Sequence, residues 1–100
     1  MTQHAEPDFL AHHAGDSVAV AVRNLSPGAV AGGYLTGDSL EAKVNEAVPL
    51  GHKFALVDIA EGADVIEYGV RIGVAAKPIV AGDYVHVHNL RSARWSSSVA

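Results

Sequence analysis

One pattern occurs three times in the chain: Leu25-Ser26-Pro27-Gly28, Ile59-Ala60-Glu61-Gly62 and Ile79-Val80-Ala81-Gly82 each consist of an aliphatic residue, two variable residues and a glycine. Each copy follows an apolar run, and a valine follows each glycine within two or three residues. Glycine adopts the positive φ angles that many tight turns need. Each copy therefore predicts a corner, where one strand ends at an anchored aliphatic residue and the next begins after the turn. The unequal separations, 34 and 20 residues, argue against a solenoid repeat.

The apolar runs beside these corners have the length and composition of strands. Residues 18–22 alternate valine and alanine, so that both faces are apolar, which predicts a strand covered on both sides. Residues 54–57 and 85–88 are further strand candidates bounded by glycine or proline. Residues 39–44 fit an exposed strand, with a short helix as the alternative. The chain is therefore predicted to be all-β, with at most one short helix or 3-10 turn.

Length and composition indicate one globular domain. The 100 residues suffice for a single small core, and we place the domain at residues 8–92, with residues 1–7 and 93–100 as flexible ends. A hydrophobic fraction of 49% with 18% charged residues excludes a disordered chain. No apolar run approaches the roughly 20 residues of a membrane span. The first eight residues lack the features of a signal peptide, so we expect a cytoplasmic protein.

Charge and motifs exclude several classes of function. The formal net charge of −4 argues against non-specific binding of nucleic acid, which requires an excess of lysine and arginine. The absence of cysteine restricts any metal site to nitrogen and oxygen ligands. The sequence contains no dinucleotide-binding fingerprint, P-loop or nucleophilic-serine motif. Six histidines remain as the unusual feature of an otherwise plain composition.

Two of these histidines, His86 and His88, lie within the strand candidate at residues 85–88. Residues two apart on a strand point to the same face, so the two imidazoles are predicted to stand side by side above buried Val85 and Val87. Two imidazoles on one rigid face form half of a typical zinc, iron or manganese site. A pair of histidines facing solvent or an interface is the alternative.

His52 and Lys53 form the second candidate, directly after Pro49 and Gly51. An imidazole there could act as a general base or as a metal ligand. The alternative is a turn whose polar side chains face solvent and have no catalytic role. The remaining histidines have plainer interpretations. His4 lies near the N-terminus, and the adjacent His12 and His13 are predicted to be a solvated pair with rings facing opposite ways.

Four ordered segments of the chain resemble a known family. Residues 48–56, 58–62, 65–75 and 82–90 are similar in order and spacing to the SAF-type domain of the altronate/galactarate dehydratase family, and a weaker similarity extends back to about residue 9. The resemblance implies a β-clip fold and a role in lyases that eliminate water or sulfite from 2-hydroxy acids. In this family the domain is part of a long chain or a small subunit beside a large one.

The resemblance also implies roles for particular residues. His86 and His88 would bind a divalent metal, expected to be iron with manganese as the alternative. His52 would be a base or a ligand, Lys53 would take part in catalysis by attracting the substrate anion, and Asn89 would help to bind the substrate. A large lyase subunit would supply the remaining ligands, and the isolated domain could self-associate. The alternative is a binding or assembly module that performs no chemistry.

Overall fold

The computed structural model describes residues 7–35 and 38–92, and every regular element in these two ranges is a β-strand. The strands are β1 (Phe9–Ala11), β2 (Val18–Ala21), β3 (Val30–Leu35), β4 (Asp38–Lys43), β5 (Lys53–Ala55), β6 (Asp64–Glu67), β7 (Val70–Ala75), β8 (Tyr84–Val85) and β9 (Leu90–Ser92). The described residues contain no helix long and apolar enough to cross a membrane. The prediction of an all-β fold is confirmed.

The strands form two sheets. The larger sheet has the order β4-β3-β1-β2-β5-β8, and the smaller has the order β6-β7-β9. Only the β1–β3 pair is parallel among the pairs that the structure describes. The short helix considered for residues 39–44 is wrong, because this segment is β4 and pairs along its whole length with β3.

Two hydrophobic cores lie on opposite faces of β2 and β5. The first core includes Phe9 and Phe54, whose rings meet edge to face with their centroids 5.2 Å apart. The second core includes Val18 and Ile79. Because successive side chains on a strand point to opposite faces, one strand can serve both cores. The predicted double coverage of the valine–alanine run is confirmed for β2, while Val22 lies beyond the strand and is partly exposed.

The predicted corners are tight turns, and the structure contains a fourth. In each, the backbone N–H of the residue after the glycine donates to the carbonyl three positions earlier, and the glycine φ lies between 81° and 96°. The additional corner is Val48-Pro49-Leu50-Gly51. It fits the aliphatic-x-x-glycine pattern but no valine follows it closely, so the stricter sequence criterion missed it.

The four corners are joined in two pairs. Leu25 and Val48 exchange backbone hydrogen bonds in the first core, and Ile59 and Ile79 do so in the second. Each corner is also bonded to the end of the strand that precedes its paired corner. The glycine N–H donates to the carbonyl of one residue there, and the N–H of that same residue donates back to the carbonyl of the residue after the glycine. These glycine-to-carbonyl bonds join Gly28 to Val44, Gly51 to Ala21, Gly62 to Ala75 and Gly82 to Ala55, all at 2.8 Å.

A buried carboxylate ties the two sheets together at another point. Asp16, which is only 6% exposed, accepts backbone hydrogen bonds from His12, His13, Tyr68 and Gly69. Tyr68 and Gly69 form the two-residue turn between β6 and β7, in which Tyr68 has a positive φ of 58°. Burial acts to raise the pKa of Asp16, but the four backbone N–H groups outweigh it, so this pKa lies below the ordinary aspartate value.

Some sequence predictions lie outside the described residues. These are the predicted flexible ends, apart from Pro7, and the interpretation of His4. The domain boundaries at residues 8 and 92 stay a prediction.

The Gly82→Ala substitution should destabilise the fold more than Gly62→Ala does. Both glycines have a positive φ, which costs an alanine about 1 kcal/mol. At Gly82 a Cβ atom would also collide with the Lys43 carbonyl oxygen and approach the Asn45 amide nitrogen to 3.0 Å, whereas the space around Gly62 is open. We expect an additional loss of about 2 kcal/mol at Gly82 in denaturant unfolding. Equal losses would contradict the close contact.

The Asp16→Asn substitution should lower the free energy of unfolding at neutral pH by about 2 kcal/mol or more, because an amide has one acceptor oxygen and no charge. Since the pKa of Asp16 is lower in the folded chain, its contribution is complete above the ordinary value of 3.8 and disappears as the pH falls through the folded-state pKa. The difference between wild type and variant should therefore shrink in acid. Asp64→Asn, at a well-exposed carboxylate, is the control and should change stability little.

Candidate functional site

Three of the histidines that the sequence analysis selected, His52, His86 and His88, surround the ring of Tyr84. The Tyr84 hydroxyl lies 2.7 Å from Nδ1 of His52. The His86 ring is nearly parallel to the Tyr84 ring, with centroids 5.5 Å apart, and the His88 ring centroid lies 5.7 Å from it. The His52 and His86 rings are 5.2 Å apart. We call these four residues the histidine cluster.

Two corners position the histidine cluster. His52 is the last residue of the turn at Gly51, where its N–H donates to the Pro49 carbonyl. Tyr84 begins β8, two residues after Gly82, and pairs in register with Phe54 of β5. These corners belong to different pairs, one in each core. The cluster therefore lies where the two halves of the domain meet.

The segment that carries His86 and His88 is a turn, so the strand predicted for residues 85–88 is wrong beyond Val85. β8 ends at that residue, and residues 86–89 form a tight loop. Val85 is buried as predicted, but Val87 is 81% exposed. Alternation along a strand therefore does not explain why both histidines lie near Tyr84. The loop brings them there.

Asn89 explains why the strand ends. Its side chain is almost completely buried, its Oδ1 accepts a bond from the His86 N–H at 2.9 Å, and its Nδ2 donates to the Tyr84 carbonyl at 2.8 Å. The Leu90 N–H also donates to the His86 carbonyl. Asn89 thus fixes the loop from inside. Its predicted contact with substrate is untested and stays a prediction.

Lys53 lies apart from the histidine cluster. Phe54 is the register partner of Tyr84, and neighbouring side chains on β5 point to opposite faces, so Lys53 points away from the Tyr84 side. Its Nζ is 3.9 Å from Oε1 of Glu67 on β6. His52 and Lys53 are adjacent in sequence, but their side chains do not belong to the same site in the structure.

The histidine cluster provides imidazole nitrogens and one phenol oxygen. Imidazole suits iron, zinc and other divalent transition metals. Within residues 7–35 and 38–92, no three histidine, aspartate or glutamate side chains lie close enough to hold an ion together. The donor types therefore fit a metal, but ligands beyond these described residues are needed to complete a site.

The adjacent His12 and His13 are accessible to solvent as predicted, with His12 half-buried and His13 exposed, but their rings do not face opposite ways. The His12 ring stacks on Tyr68 with centroids 3.7 Å apart and planes 10° apart. The His13 ring lies edge-on to the same tyrosine at 6.2 Å. Both rings therefore face Tyr68, the residue in the turn that Asp16 holds.

Tyr84 is the member of the histidine cluster that sequence reasoning missed. The signal was present, because Tyr84 stands two residues before His86 and four before His88, in the same alternation that selected the histidines. Its hydrogen bond to His52 could not be foreseen, since it joins residues 32 positions apart.

Known proteins similar to this chain include components of lyases. The chain is 43% identical over 94 residues to the (2R)-sulfolactate sulfo-lyase subunit alpha of Chromohalobacter salexigens, which covers 88% of this chain and 97% of that protein. It is 44% identical over 84 residues to the altronate dehydratase of Escherichia coli (strain K12), covering 84% of this chain but 16% of that protein. Galactarate dehydratase (L-threo-forming) of the same organism is 34% identical over 77 residues, 14% of its length.

A family profile described as the altronate/galactarate dehydratase SAF domain matches residues 7–93, which include both corner pairs and the whole histidine cluster. The match covers more than half of the chain, and the resemblance noted in the sequence is confirmed. The chain belongs to the altronate/galactarate dehydratase SAF domain family.

Proposed function

We propose that this chain is the small subunit of a lyase that eliminates water or sulfite from a 2-hydroxy acid, and that its histidine cluster forms part of an active site shared with a large subunit. The observation that carries the proposal is the gathering of three imidazoles around Tyr84 at the surface. The relative named as a subunit alpha matches over nearly its whole length, which supports a partner subunit.

The proposed elimination needs a base at the carbon next to the carboxylate and a way to expel the leaving group. His52 suits the base, because its ring is half-buried and its Nδ1 is engaged by Tyr84, which leaves Nε2 for a substrate. His86 and His88 are exposed on a fixed loop, as ligands of a shared metal would be. A divalent metal, iron or manganese, would supply stabilisation of the negative charge that develops near the substrate carboxylate.

The other residues named by the resemblance take smaller parts in this proposal. Lys53 points away from Tyr84 and neighbours Glu67, so we assign proton transfer to His52 alone. Attraction of the substrate anion by Lys53 stays a prediction. So do the cytoplasmic location and self-association of the isolated chain.

A second candidate is an assembly module that orients the large subunit and takes no part in the chemistry. Val87 favours this alternative, because it is a highly exposed apolar side chain at the tip of a loop that Asn89 makes rigid. Contact with a partner would remove this apolar side chain from water, which favours association. The two candidates share the interface and differ in whether the imidazoles are needed for turnover.

Replacing both His86 and His88 with alanine should lower the turnover rate of the complex with the large subunit by about 100-fold or more, because the shared site loses two metal ligands. The assay would use the co-expressed complex with sulfolactate, altronate and galactarate in turn. His12→Ala with His13→Ala is the matched control, since it also removes two imidazoles but lies at Tyr68. Near-normal turnover of an assembled His86/His88 variant would overturn the catalytic proposal and favour the assembly module.

The Val87→Asp substitution should weaken binding to the large subunit by about 10-fold or more, because it places a charge in a desolvated interface. Titration of the purified subunits would measure the dissociation constant. Val30→Asp, at another exposed valine on β3, is the control and should leave it unchanged. Unaltered affinity of the Val87 variant, with an unaltered melting temperature, would show that this loop is not at the interface.

A further inference from the structure

The hydrogen bond between Tyr84 and His52 has a direction that the chemistry of the two groups decides. A phenol is a better donor than an imidazole N–H, and a neutral imidazole nitrogen is a better acceptor than a phenol oxygen. These preferences favour donation by the Tyr84 hydroxyl to Nδ1 of His52, across the 2.7 Å that separates them. In the neutral ring the single hydrogen must then lie on Nε2.

Tyr84 is held in place by several contacts other than its bond to His52. Its ring packs against the first core, its backbone pairs with Phe54, and its carbonyl accepts the bond from the Asn89 side chain. Its N–H donates to the Glu46 carboxylate at 3.1 Å. His52 lies on the turn after Gly51. The position of the tyrosine ring is thus fixed independently of His52, so its hydroxyl can set the orientation of the imidazole.

We infer that Tyr84 is a positioning residue for His52: by holding Nδ1, it reserves Nε2 as the nitrogen that meets a substrate or a metal. The part of this inference that concerns catalysis rests on the proposed function, whereas the hydrogen bond and its direction do not.

The same hydroxyl accommodates the form of His52 that acts as a base. In that form one proton has left Nε2 for water and one has reached Nδ1 from water, so Nε2 carries a lone pair. The phenol oxygen then accepts a bond from the Nδ1 hydrogen, and the ring need not turn. A residue that could only donate, such as a lysine, would oppose this form. Tyrosine supports both.

The direction of the bond can be tested on the full chain without its partner. Nitrogen-15 NMR of histidine-labelled protein, at a pH where the imidazole is neutral, distinguishes the protonated ring nitrogen from the other. We expect His52 to carry its hydrogen on Nε2, with the Nδ1 resonance displaced by the hydrogen bond. Tyr84→Phe keeps the aromatic packing and should return the Nδ1 resonance to the value of a free nitrogen. Tyr34→Phe, on β3, is the matched control and should leave it unchanged.

Two results of this measurement would overturn the inference. One is a His52 spectrum that Tyr84→Phe does not alter. The other is a wild-type ring whose hydrogen lies on Nδ1, which would overturn the inferred direction of the bond.

The positioning role is tested in the complex with the large subunit. Tyr84→Phe should lower kcat by about 10-fold or more, as is usual when a partner that orients an active-site histidine is lost. KM should change by less than about twofold, because substrate binding is not removed. Tyr34→Phe should change neither. An unaltered kcat would overturn the positioning role even if NMR confirms the hydrogen bond. A complex that is inactive with wild-type and variant chains alike would refute the proposed function, and the NMR result would still decide whether the hydrogen bond exists.

Discussion

The structure depends on one backbone interaction, the hydrogen bond from a corner glycine to the strand end that leads into the paired corner. Such a bond forms only if the chain turns sharply enough to place the glycine N–H against another strand, which the positive φ of the glycine permits. Gly82 shows how close this approach is, because a single added carbon would meet the Lys43 carbonyl oxygen. Two pairs of corners close two small cores. A domain of this size needs no disulfide to do so.

The positions of the residues in the candidate site follow from this arrangement of corners. His52 completes the turn at Gly51, and Tyr84 follows the turn at Gly82, so one corner from each half carries a member of the cluster. Neither residue could move far without breaking a bond on which its core depends. The loop with His86 is fixed separately, by the buried amide of Asn89. The imidazoles are thus presented on rigid backbone, which is what a site completed by another subunit would require.

Local sequence patterns predicted four of the nine described strands, at least in part, and three of the four corners, because aliphatic anchors, glycines and alternating apolar runs act over a few residues. The fourth corner was not grouped with the other three because no valine closely follows Gly51, although Pro49 and Gly51 do indicate a turn. The strand predicted through His88 failed because one side chain, Asn89, satisfies the backbone that a neighbouring strand would otherwise have bonded. The sequence predicted the three histidines of the cluster as candidate site residues but did not predict Tyr84. Contacts such as that between Tyr84 and His52 depend on tertiary folding, which no local pattern encodes.

The distance along the chain between Tyr84 and His52 has a consequence for the order of folding. The β6–β7 hairpin lies between them, and it closes a short loop, whereas their own contact closes one of 32 residues. Loop-closure entropy delays contacts between distant parts of a chain until nearer ones have formed. The contact between Tyr84 and His52 should therefore form after the β6–β7 hairpin. A folding intermediate in which only this hairpin has formed would still lack the histidine cluster.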